Sequence, residues 1–293
     1  MTALASPEPA TDAPVTGGRP GLLLAPFAAA LLAAASAGAT YKVFVRTTLG
    51  QTVDTVAMRG ADVHHPKVVQ LLDRTLNGTT LASLVLVCLA AAAVGVLRKR
   101  IDLAVGATLL VIGANASTQL LKTQLSRPHL DGFPAPNSFP SGHTSAAASV
   151  AFALVLVLPA AIRSTAALIG AGYVAVIAVA TVWAAWHRPS DTVAALLVVL
   201  AWGALAVLGI RVRRYRELGA PRLSRVAGLP LTVLGAVTGL AGLLGLIAVG
   251  MSERVTPDLV SGRFAFLAGV ACITSAVAGV FAAWLRLVSA DRA

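Results

Sequence analysis

Charged residues and cysteines are both scarce in this chain. Only 12% of its 293 residues are Asp, Glu, Lys or Arg, whereas soluble domains carry about 25%. The two cysteines, Cys88 and Cys272, each lie inside an apolar run, so they provide neither a disulfide framework nor a zinc site. These absences exclude an ordinary soluble domain and a disulfide-stabilised secreted domain.

Apolar residues make up 57% of the chain and recur in continuous runs. The runs are about 17–25 residues long, the length an α-helix needs to cross ~30 Å of hydrocarbon. They lack the period-two alternation of a transmembrane β-barrel. The predicted fold class is an all-α integral membrane protein, a polytopic helical bundle of about eight spans. The spans are predicted near residues 21–40, 80–97, 101–121, 141–162, 165–186, 192–210, 229–249 and 264–288.

Three regions are predicted along the chain. Residues 1–20 are rich in Pro, Ala, Thr and Gly and are expected to form a disordered tail. Residues 21–212 hold a core of six spans, with an outer loop at 41–79 that we interpret as a lid or a substrate rim. Residues 213–293 hold a basic cytoplasmic loop and two additional spans, whose role is open between packing, a homo-oligomer interface and regulation. The first span ends in AAASAGA, similar to a signal-peptidase site, but no basic region precedes it, so a retained anchor is favoured.

The net charge of +11 comes largely from arginines between the apolar runs. This placement favours membrane topology and anionic headgroups over nucleic-acid binding. The RKR at 98–100, Arg163 and the six arginines of 211–225 fall on one side of the membrane. The positive-inside rule makes that side cytoplasmic, together with the N-terminus. The segments at 122–140 and 187–191 then face outwards.

His187 and Asp191, in the stretch WHRPSD, are four residues apart at the start of the sixth span. Helical spacing places both on one face. A carboxylate bonded to one imidazole nitrogen leaves the other nitrogen free to act as a nucleophile or base. In the alternative interpretation, Ser190 or Asp191 only caps the helix, and His187 is an interfacial residue.

The stretch PSGH begins the fourth span. Gly142 lets backbone amides approach a ligand closely, and Ser141 adds a hydroxyl at a helix N-terminus, which favours anions. His143 would then lie beside the bound anion. In the alternative interpretation, Pro140 and Ser141 merely start and cap a helix.

Lys122 and Arg127 follow the third span on the same outer side. Arginine suits bidentate phosphate binding and lysine a point-charge contact, although outer cations can also be snorkelling anchors. Two histidines, a carboxylate, two cations and a Ser-Gly turn share one side of the membrane. This combination favours phosphoryl transfer through a phosphohistidine.

At these residues the chain resembles the type 2 phosphatidic acid phosphatase family, whose site is shared with vanadium haloperoxidases. That family carries the blocks Lys-x6-Arg-Pro, Pro-Ser-Gly-His and Ser-Arg-x5-His-x3-Asp. The second block is intact at 140–143, and the His-x3-Asp half of the third lies at 187–191. The similarity covers roughly residues 80–212.

The chain departs from the family pattern in two places. Arg127 follows Lys122 after four residues instead of six, and Ala180-Thr181 occupy the position of the Ser-Arg pair. The second phosphate arginine is therefore missing. We hypothesise that Arg188 supplies the lost charge.

The resemblance implies a role for each candidate residue. His187 would attack phosphorus, Asp191 would orient it, and His143 would protonate the leaving oxygen. The phosphoryl oxygens would be held by Lys122, Arg127, Ser141 and the Gly142 amide. No metal or cofactor is expected, and the adjacent His64 and His65 are interpreted as surface residues.

The predicted function is an integral-membrane lipid phosphate phosphatase of the cell membrane, metal-independent and active at the outer face. Its partner would be a membrane lipid phosphate: phosphatidic acid, phosphatidylglycerol phosphate, or a polyprenyl phosphate or diphosphate. A lipid-phosphate transporter or an inactive lipid-phosphate-binding relative stays open as the alternative. Transfer of the phosphoryl group to an acceptor other than water is a further one.

Overall fold

The computed structural model describes residues 21–61, 70, 81–214, 225–256 and 259–289. The predicted tail at 1–20, His64 and His65, and most of the basic loop after residue 214 lie outside these residues. The described residues form nine α-helices and no strand. The helices are α1 Gly21–Val45, α2 Thr48–Arg59, α3 Leu81–Leu97, α4 Ile101–Gln124, α5 Gly142–Val157, α6 Ala160–Trp183, α7 Pro189–Arg213, α8 Arg225–Val255 and α9 Gly262–Val288.

Each predicted span coincides with one helix, and the polytopic helical bundle is confirmed. Within the described residues, six helices are long and apolar enough to cross a membrane, namely α1, α4, α6, α7, α8 and α9. Helices α3 and α5 have 17 and 16 residues. The large side chains on the outer faces of α1, α3 and α8 are mostly apolar and exposed, as expected of surfaces that contact lipid.

The predicted boundary between the fourth and fifth spans was wrong. The fourth was expected to reach residue 162, but α5 ends at Val157 because Pro159 disfavours a helical residue before it and lacks an N–H. Arg163, expected in a loop, therefore lies inside α6 and is buried. Its guanidinium donates from Nε to the Leu158 carbonyl and from Nη1 to the Val288 carbonyl, both at 2.9 Å.

The outer loop predicted at 41–79 contains a helix, α2. Thr47 caps it, accepting the Gly50 N–H at 3.0 Å. One face of α2 is polar but buried, because Gln51, Asp54 and Thr55 are at most 5% exposed. These three positions follow helical spacing. Helix α2 therefore packs into the bundle, against α1, α7, α8 and α9, with polar side chains directed inwards.

The arginine-rich segments gather at one end of the bundle. Arg98 donates to the Val157 carbonyl at 2.6 Å, and Arg211 to the Leu22 carbonyl at 2.6 Å. Arg100 and Arg214 both approach the Asp102 carboxylate, at 2.8 and 3.6 Å. These cations therefore bind either carbonyl groups at helix ends or the Asp102 carboxylate. They lie at the start of α4, whereas Lys122 lies at its other end.

A polar seam sets the register of α4 against α5. Asn115 donates to Ser149 Oγ at 3.0 Å, and Thr118 Oγ1 lies 2.7 Å from Ser145 Oγ. Such hydrogen bonds between helices are a common means of association in membranes. One turn further along α4, Lys122 reaches the start of α5.

The two C-terminal helices are an integral part of the bundle. Helix α9 packs against α2, α6 and α7 as well as α8. Its start meets the end of α2, where Gly60 lies so close to Gly262 that a Cβ on Gly60 would be 1.7 Å from the Gly262 carbonyl oxygen. Gly269 likewise lies against Pro189, since a Cβ there would be 2.9 Å from Pro189 Cγ.

We therefore expect Gly60→Ala to push α2 away from α9 and lower the melting temperature in detergent by several degrees. The physical reason is overpacking, which costs about 1–3 kcal/mol. Gly172→Ala is the matched control, because its Cβ would meet no atom within 4 Å and alanine favours helix. Equal melting temperatures for Gly60→Ala and the parent would contradict the close contact.

Candidate active site

Three segments that are distant in sequence meet at one end of the bundle. The cluster of Arg98, Arg100, Arg211 and Arg214 lies at the other end. The three segments are the stretch that follows α4, the start of α5, and the turn from α6 into α7. Across this junction the rings of His143 and His187 lie 6.2 Å apart, centroid to centroid, and the His143 ring also lies 5.4 Å from that of Trp186. The structure thus brings the two predicted histidines to one place.

A tight turn at the end of α6 positions His187. Ala185 adopts a positive φ of 57°, a conformation that costs a residue with a Cβ roughly 1–2 kcal/mol. The turn allows the N–H groups of Trp186 and His187 to donate to the Thr181 carbonyl at 3.0 and 3.2 Å. The Thr181 side chain is buried and donates to the Ala178 carbonyl at 2.9 Å. Thr181 therefore fixes the backbone of His187 but provides no charge.

The Asp191 carboxylate is the point where the three segments are joined. Its Oδ1 accepts from Arg127 Nη2 at 2.7 Å. Its Oδ2 accepts from Ser138 Oγ at 2.5 Å and from the Arg188 N–H at 3.0 Å. The Asp191 carbonyl also accepts the Ser141 N–H at 2.9 Å. Ser138 was missed in the sequence analysis, because no spacing links it to residue 191.

His187 and Asp191 lie on one face, as their spacing predicts. His187 Nδ1 is 3.6 Å from Asp191 Oδ2, longer than a hydrogen bond. This nitrogen is buried and has no hydrogen-bond partner among the described residues. Catalytic hydrogen bonds are often long before a substrate binds, so a small rotation of the ring would complete this one and leave Nε2 free.

Arg127 is buried with part of its donor set unfilled. It is 7% exposed, and only Nη2 is bonded, to Asp191. Nε and Nη1 have no partner among the described residues. A guanidinium bonded on one side to a carboxylate, with two buried donors left unfilled, suits an anion with planar or tetrahedral oxygens.

The start of α5 provides backbone donors beside a cation. Ser141 caps the helix, and its Oγ accepts from the N–H of Thr144 at 3.4 Å and from the Thr144 hydroxyl at 3.1 Å. The next two amides, of Gly142 and His143, have no acceptor within the helix. A Cβ on Gly142 would lie 3.8 Å from Lys122 Nζ. Residue 142 without a side chain therefore leaves space beside the ammonium group.

The same Cβ would lie 3.6 Å from Gln119 Nε2. Gln119 precedes Lys122 by three residues, so both side chains project from one face of α4. The sequence analysis did not consider Gln119. Its amide adds a further donor close to the Gly142 backbone.

The guanidinium of Arg188 contacts residues away from the two histidines. It is buried and donates from Nε to Thr55 Oγ1 at 2.8 Å, with Nη2 at 3.6 Å from Asp131 Oδ2. Thr55 in turn donates to the same carboxylate at 2.5 Å. The guanidinium carbon also lies 5.9 Å from the centre of the Phe133 ring. A phosphate at Arg188 would therefore compete with an existing carboxylate.

Two acidic residues behind the site differ in their protonation. Burial and the nearby Asp191 carboxylate raise the pKa of Asp54 to about 7, although Ser190 donates to it. Burial would also raise the pKa of Asp131, but the hydrogen bonds from Thr55 and the Phe133 N–H and the charge on Arg188 hold it below its usual value. Asp131 is thus the permanent counter-charge of Arg188.

Residues 79–215 match the family model of the PAP2 superfamily. The match spans a little under half of the chain and supports a type 2 phosphatidic acid phosphatase-like family. The PAP2 domain contains all eight predicted site residues, while α1, α2, α8 and α9 lie outside it. Comparison with curated proteins and with solved structures gave no match. In a polytopic membrane protein, a PAP2 domain supports a phosphatase-type activity on phosphorylated lipids.

The raised pKa of Asp54 predicts a pH-dependent stability. In the unfolded chain Asp54 ionises near 3.8, and in the folded protein near 7. Its contribution to stability is therefore complete below the lower value and is lost as the pH rises through about 7. Because Asp54→Asn cannot ionise, the melting temperature of the parent should fall by a few degrees relative to this variant between about pH 5 and pH 8. A constant difference between the two proteins across this range would contradict the raised pKa.

Proposed function

We propose that the protein is an integral-membrane lipid phosphate phosphatase that hydrolyses a lipid phosphomonoester or diphosphate through a phosphohistidine. The observation that carries the proposal is the meeting of His143 and His187, 6.2 Å apart, beside a buried Arg127 with two unfilled donors. Acid–base and nucleophilic groups around an anion cradle are the requirements of this chemistry. The PAP2 domain supports the same reaction class.

In the first step, His187 Nε2 attacks phosphorus, and the bond from phosphorus to the lipid oxygen breaks. His143 donates a proton to that oxygen, so the lipid leaves as an alcohol, or as a lipid monophosphate if the substrate is a diphosphate. Asp191 accepts the Nδ1–H of His187 and stabilises the positive charge that the ring acquires. The product of this step is a phosphoryl group bonded to His187.

In the second step, a water attacks phosphorus and the bond to His187 Nε2 breaks. His143, now neutral, takes the proton of the water as a general base. Inorganic phosphate leaves, and both imidazoles return to their starting states. The phosphoryl transfer itself needs mainly positioning and charge stabilisation.

The phosphoryl oxygens would be held by Arg127 Nε and Nη1, by Lys122 and by the amides at the start of α5. The Gly142 and His143 N–H groups lie at the positive end of the α5 dipole, which favours a negative group. The Ser141 hydroxyl adds a donor at the same place. Removal of one such donor typically lowers kcat by about 10²–10³-fold.

The roles of the two histidines are tested by replacing each with alanine. His187→Ala should abolish phosphate release from short-chain phosphatidic acid in detergent with a metal chelator, because no nucleophile remains. His143→Ala should lower kcat by about 10²–10⁴-fold. It should lose much less on p-nitrophenyl phosphate, since that leaving group needs little protonation. His129→Ala is the matched control, because His129 is exposed and lies outside the site.

Several outcomes of this assay would discriminate between mechanisms. Phosphate release that survives both His187→Ala and His143→Ala would remove the mechanism. No release from any lipid phosphate, with lipid-phosphate binding retained, would favour a transporter or a binding protein. Hydrolysis in ¹⁸O-water should place one label in the released phosphate, whereas transfer to another acceptor would give an unlabelled phosphorylated acceptor and no inorganic phosphate.

We also propose that the site faces outwards in the cell membrane. The proposal is supported by the arginine-rich segments, which lie at the end of the bundle opposite the site. The positive-inside rule assigns that end to the cytoplasm. In intact cells, a membrane-impermeant maleimide should label His129→Cys near the site. Lys99→Cys, at the other end of the bundle, should react only after permeabilisation. The reverse pattern would place the site in the cytoplasm.

A further inference from the structure

We propose that Asp54 and Thr55 of α2, which lie outside the PAP2 domain, are positioning residues that hold the His187–Asp191 turn in its reactive geometry. The expected effect of these residues on kcat rests on the proposed function. Their role in holding the turn does not.

The first amides of α7 require partners from outside the helix. Pro189 occupies the first position and has no N–H. The Ser190 N–H donates to Asp54 Oδ1 at 3.0 Å, and the Ser190 hydroxyl donates to Asp54 Oδ2 at 2.5 Å. Asp54 therefore caps α7 from a different helix, at the residue directly before Asp191.

Thr55 holds the other side of the same turn. Its hydroxyl accepts from Arg188 Nε and donates to Asp131, so it connects the residue next to His187 with the stretch that follows α4. The Arg188 backbone N–H meanwhile donates to Asp191. The side chain and the backbone of Arg188 are thus fixed from two directions, which leaves His187 little freedom.

A third residue of α2 ties down the Arg127 stretch. Gln51 Nε2 donates to the Pro128 carbonyl at 2.6 Å, and Gln51 Oε1 accepts the Leu130 N–H at 3.1 Å. The polar face of α2 therefore contacts both the segment of the phosphate cation and the turn of the nucleophile. Helix α2 sets the distance between these two segments.

Helix α9 supports α2 from behind. Gly269 permits the close approach of α9 to Pro189 and to Ala57, where an added Cβ would be 2.9 and 3.5 Å from their side chains. The contact of Gly60 with Gly262 holds the other end of α2. The flanking helices thus form one support for the turn, built from residues that the family pattern does not contain.

The hydrogen bonds of Asp54 go to Ser190, and it reaches the predicted phosphate-binding residues Arg127 and Arg188 only through longer-range charge interactions. Its removal should therefore alter kcat more than KM. Misplacement of a reacting group by about 1 Å costs on the order of 10²-fold in rate. We expect Asp54→Leu to lower kcat by about 10–100-fold. In Asp54→Asn, the amide oxygen can still accept from the Ser190 N–H, and the amide N–H can donate to the Ser190 hydroxyl. The kcat of this variant should therefore stay within about threefold of that of the parent.

The test measures kcat and KM on short-chain phosphatidic acid, together with hydrogen–deuterium exchange of the peptide at 183–196, for the parent, Asp54→Leu and Asp54→Asn in detergent. The proposal expects faster exchange in this peptide and a lower kcat for Asp54→Leu alone. Asp102→Leu is the matched control, because Asp102 is an ion-paired carboxylate at the start of α4, at the remote end. Its loss should lower stability but not kcat.

Thr55 is tested in the same way. Thr55→Val should lower kcat and raise exchange at 183–196, and Thr55→Ser should restore both. Thr52→Val on the same helix is the control, because Thr52 is only half-buried and its hydroxyl donates to the Thr48 carbonyl within α2.

The proposal is overturned if Asp54→Leu has a normal kcat per folded molecule, if its exchange at 183–196 is unchanged, or if the loss appears in KM. If kcat falls equally in Asp54→Asn and Asp54→Leu, the charge of Asp54 matters and its hydrogen bonds do not. That result would contradict the proposed role. If the parent releases no phosphate from any lipid phosphate, the proposed function fails, and the exchange measurement still tests the support by α2.

Discussion

The buried ion pair between Arg127 and Asp191 is the interaction on which the arrangement of the site depends. A buried carboxylate is stable only if it is paired and its remaining lone pairs are filled. Asp191 meets this requirement through Arg127, Ser138 and the Arg188 N–H, which come from three separate stretches of chain. Removing one partner of such a pair costs about 3–5 kcal/mol, because the other charge is left unpaired. The pair therefore forces the stretch after α4, the segment before α5 and the α6–α7 turn to share one place.

The apolar surroundings explain why the few unfilled donors are informative. Within a membrane-embedded bundle, each unpaired polar group is costly, and nearly all backbone groups are satisfied inside the helices. Arg127 Nε and Nη1 and His187 Nδ1 are among the few buried nitrogens without hydrogen-bond partners in the described residues, and Trp284 Nε1, away from the site, is another. The Arg127 and His187 nitrogens lie around the same junction. The two Arg127 nitrogens are donors available to the anion of the proposed function, whereas His187 Nδ1 lies 3.6 Å from its expected partner, Asp191 Oδ2.

The sequence was sufficient to predict the spans and the segments that carry the candidate residues, but not the polar support around them. Hydropathy predicts the helices because lipid requires about 20 apolar residues per span, and helical spacing predicts that His187 and Asp191 share a face. Helix α2 was missed because its buried face is polar, so it resembles a loop by composition. Ser138, Asp54 and Thr55 could not be found, since their partners lie 53 to 136 residues away and no spacing connects them. Pro159, by contrast, was visible, and the end of α5 could have been placed from it.

The departures from the family pattern have a physical explanation in the charges of the site. Lys122 lies near the end of α4, and Arg127 follows three residues after Gln124 in extended chain, where each residue spans about 3.3 Å instead of 1.5 Å. The stretch from Lys122 to Arg127 therefore covers more distance per residue than a continuous helix would. At the position of the missing arginine, Thr181 contributes only its backbone, and Arg188 is already balanced by Asp131. Of the three predicted phosphate-binding cations, Arg127 and Arg188 are each paired with a carboxylate, and Lys122 has no ion pair among the described residues. In the proposed mechanism, the amides at the start of α5, within the intact Pro-Ser-Gly-His block, would then carry a larger part of the charge stabilisation.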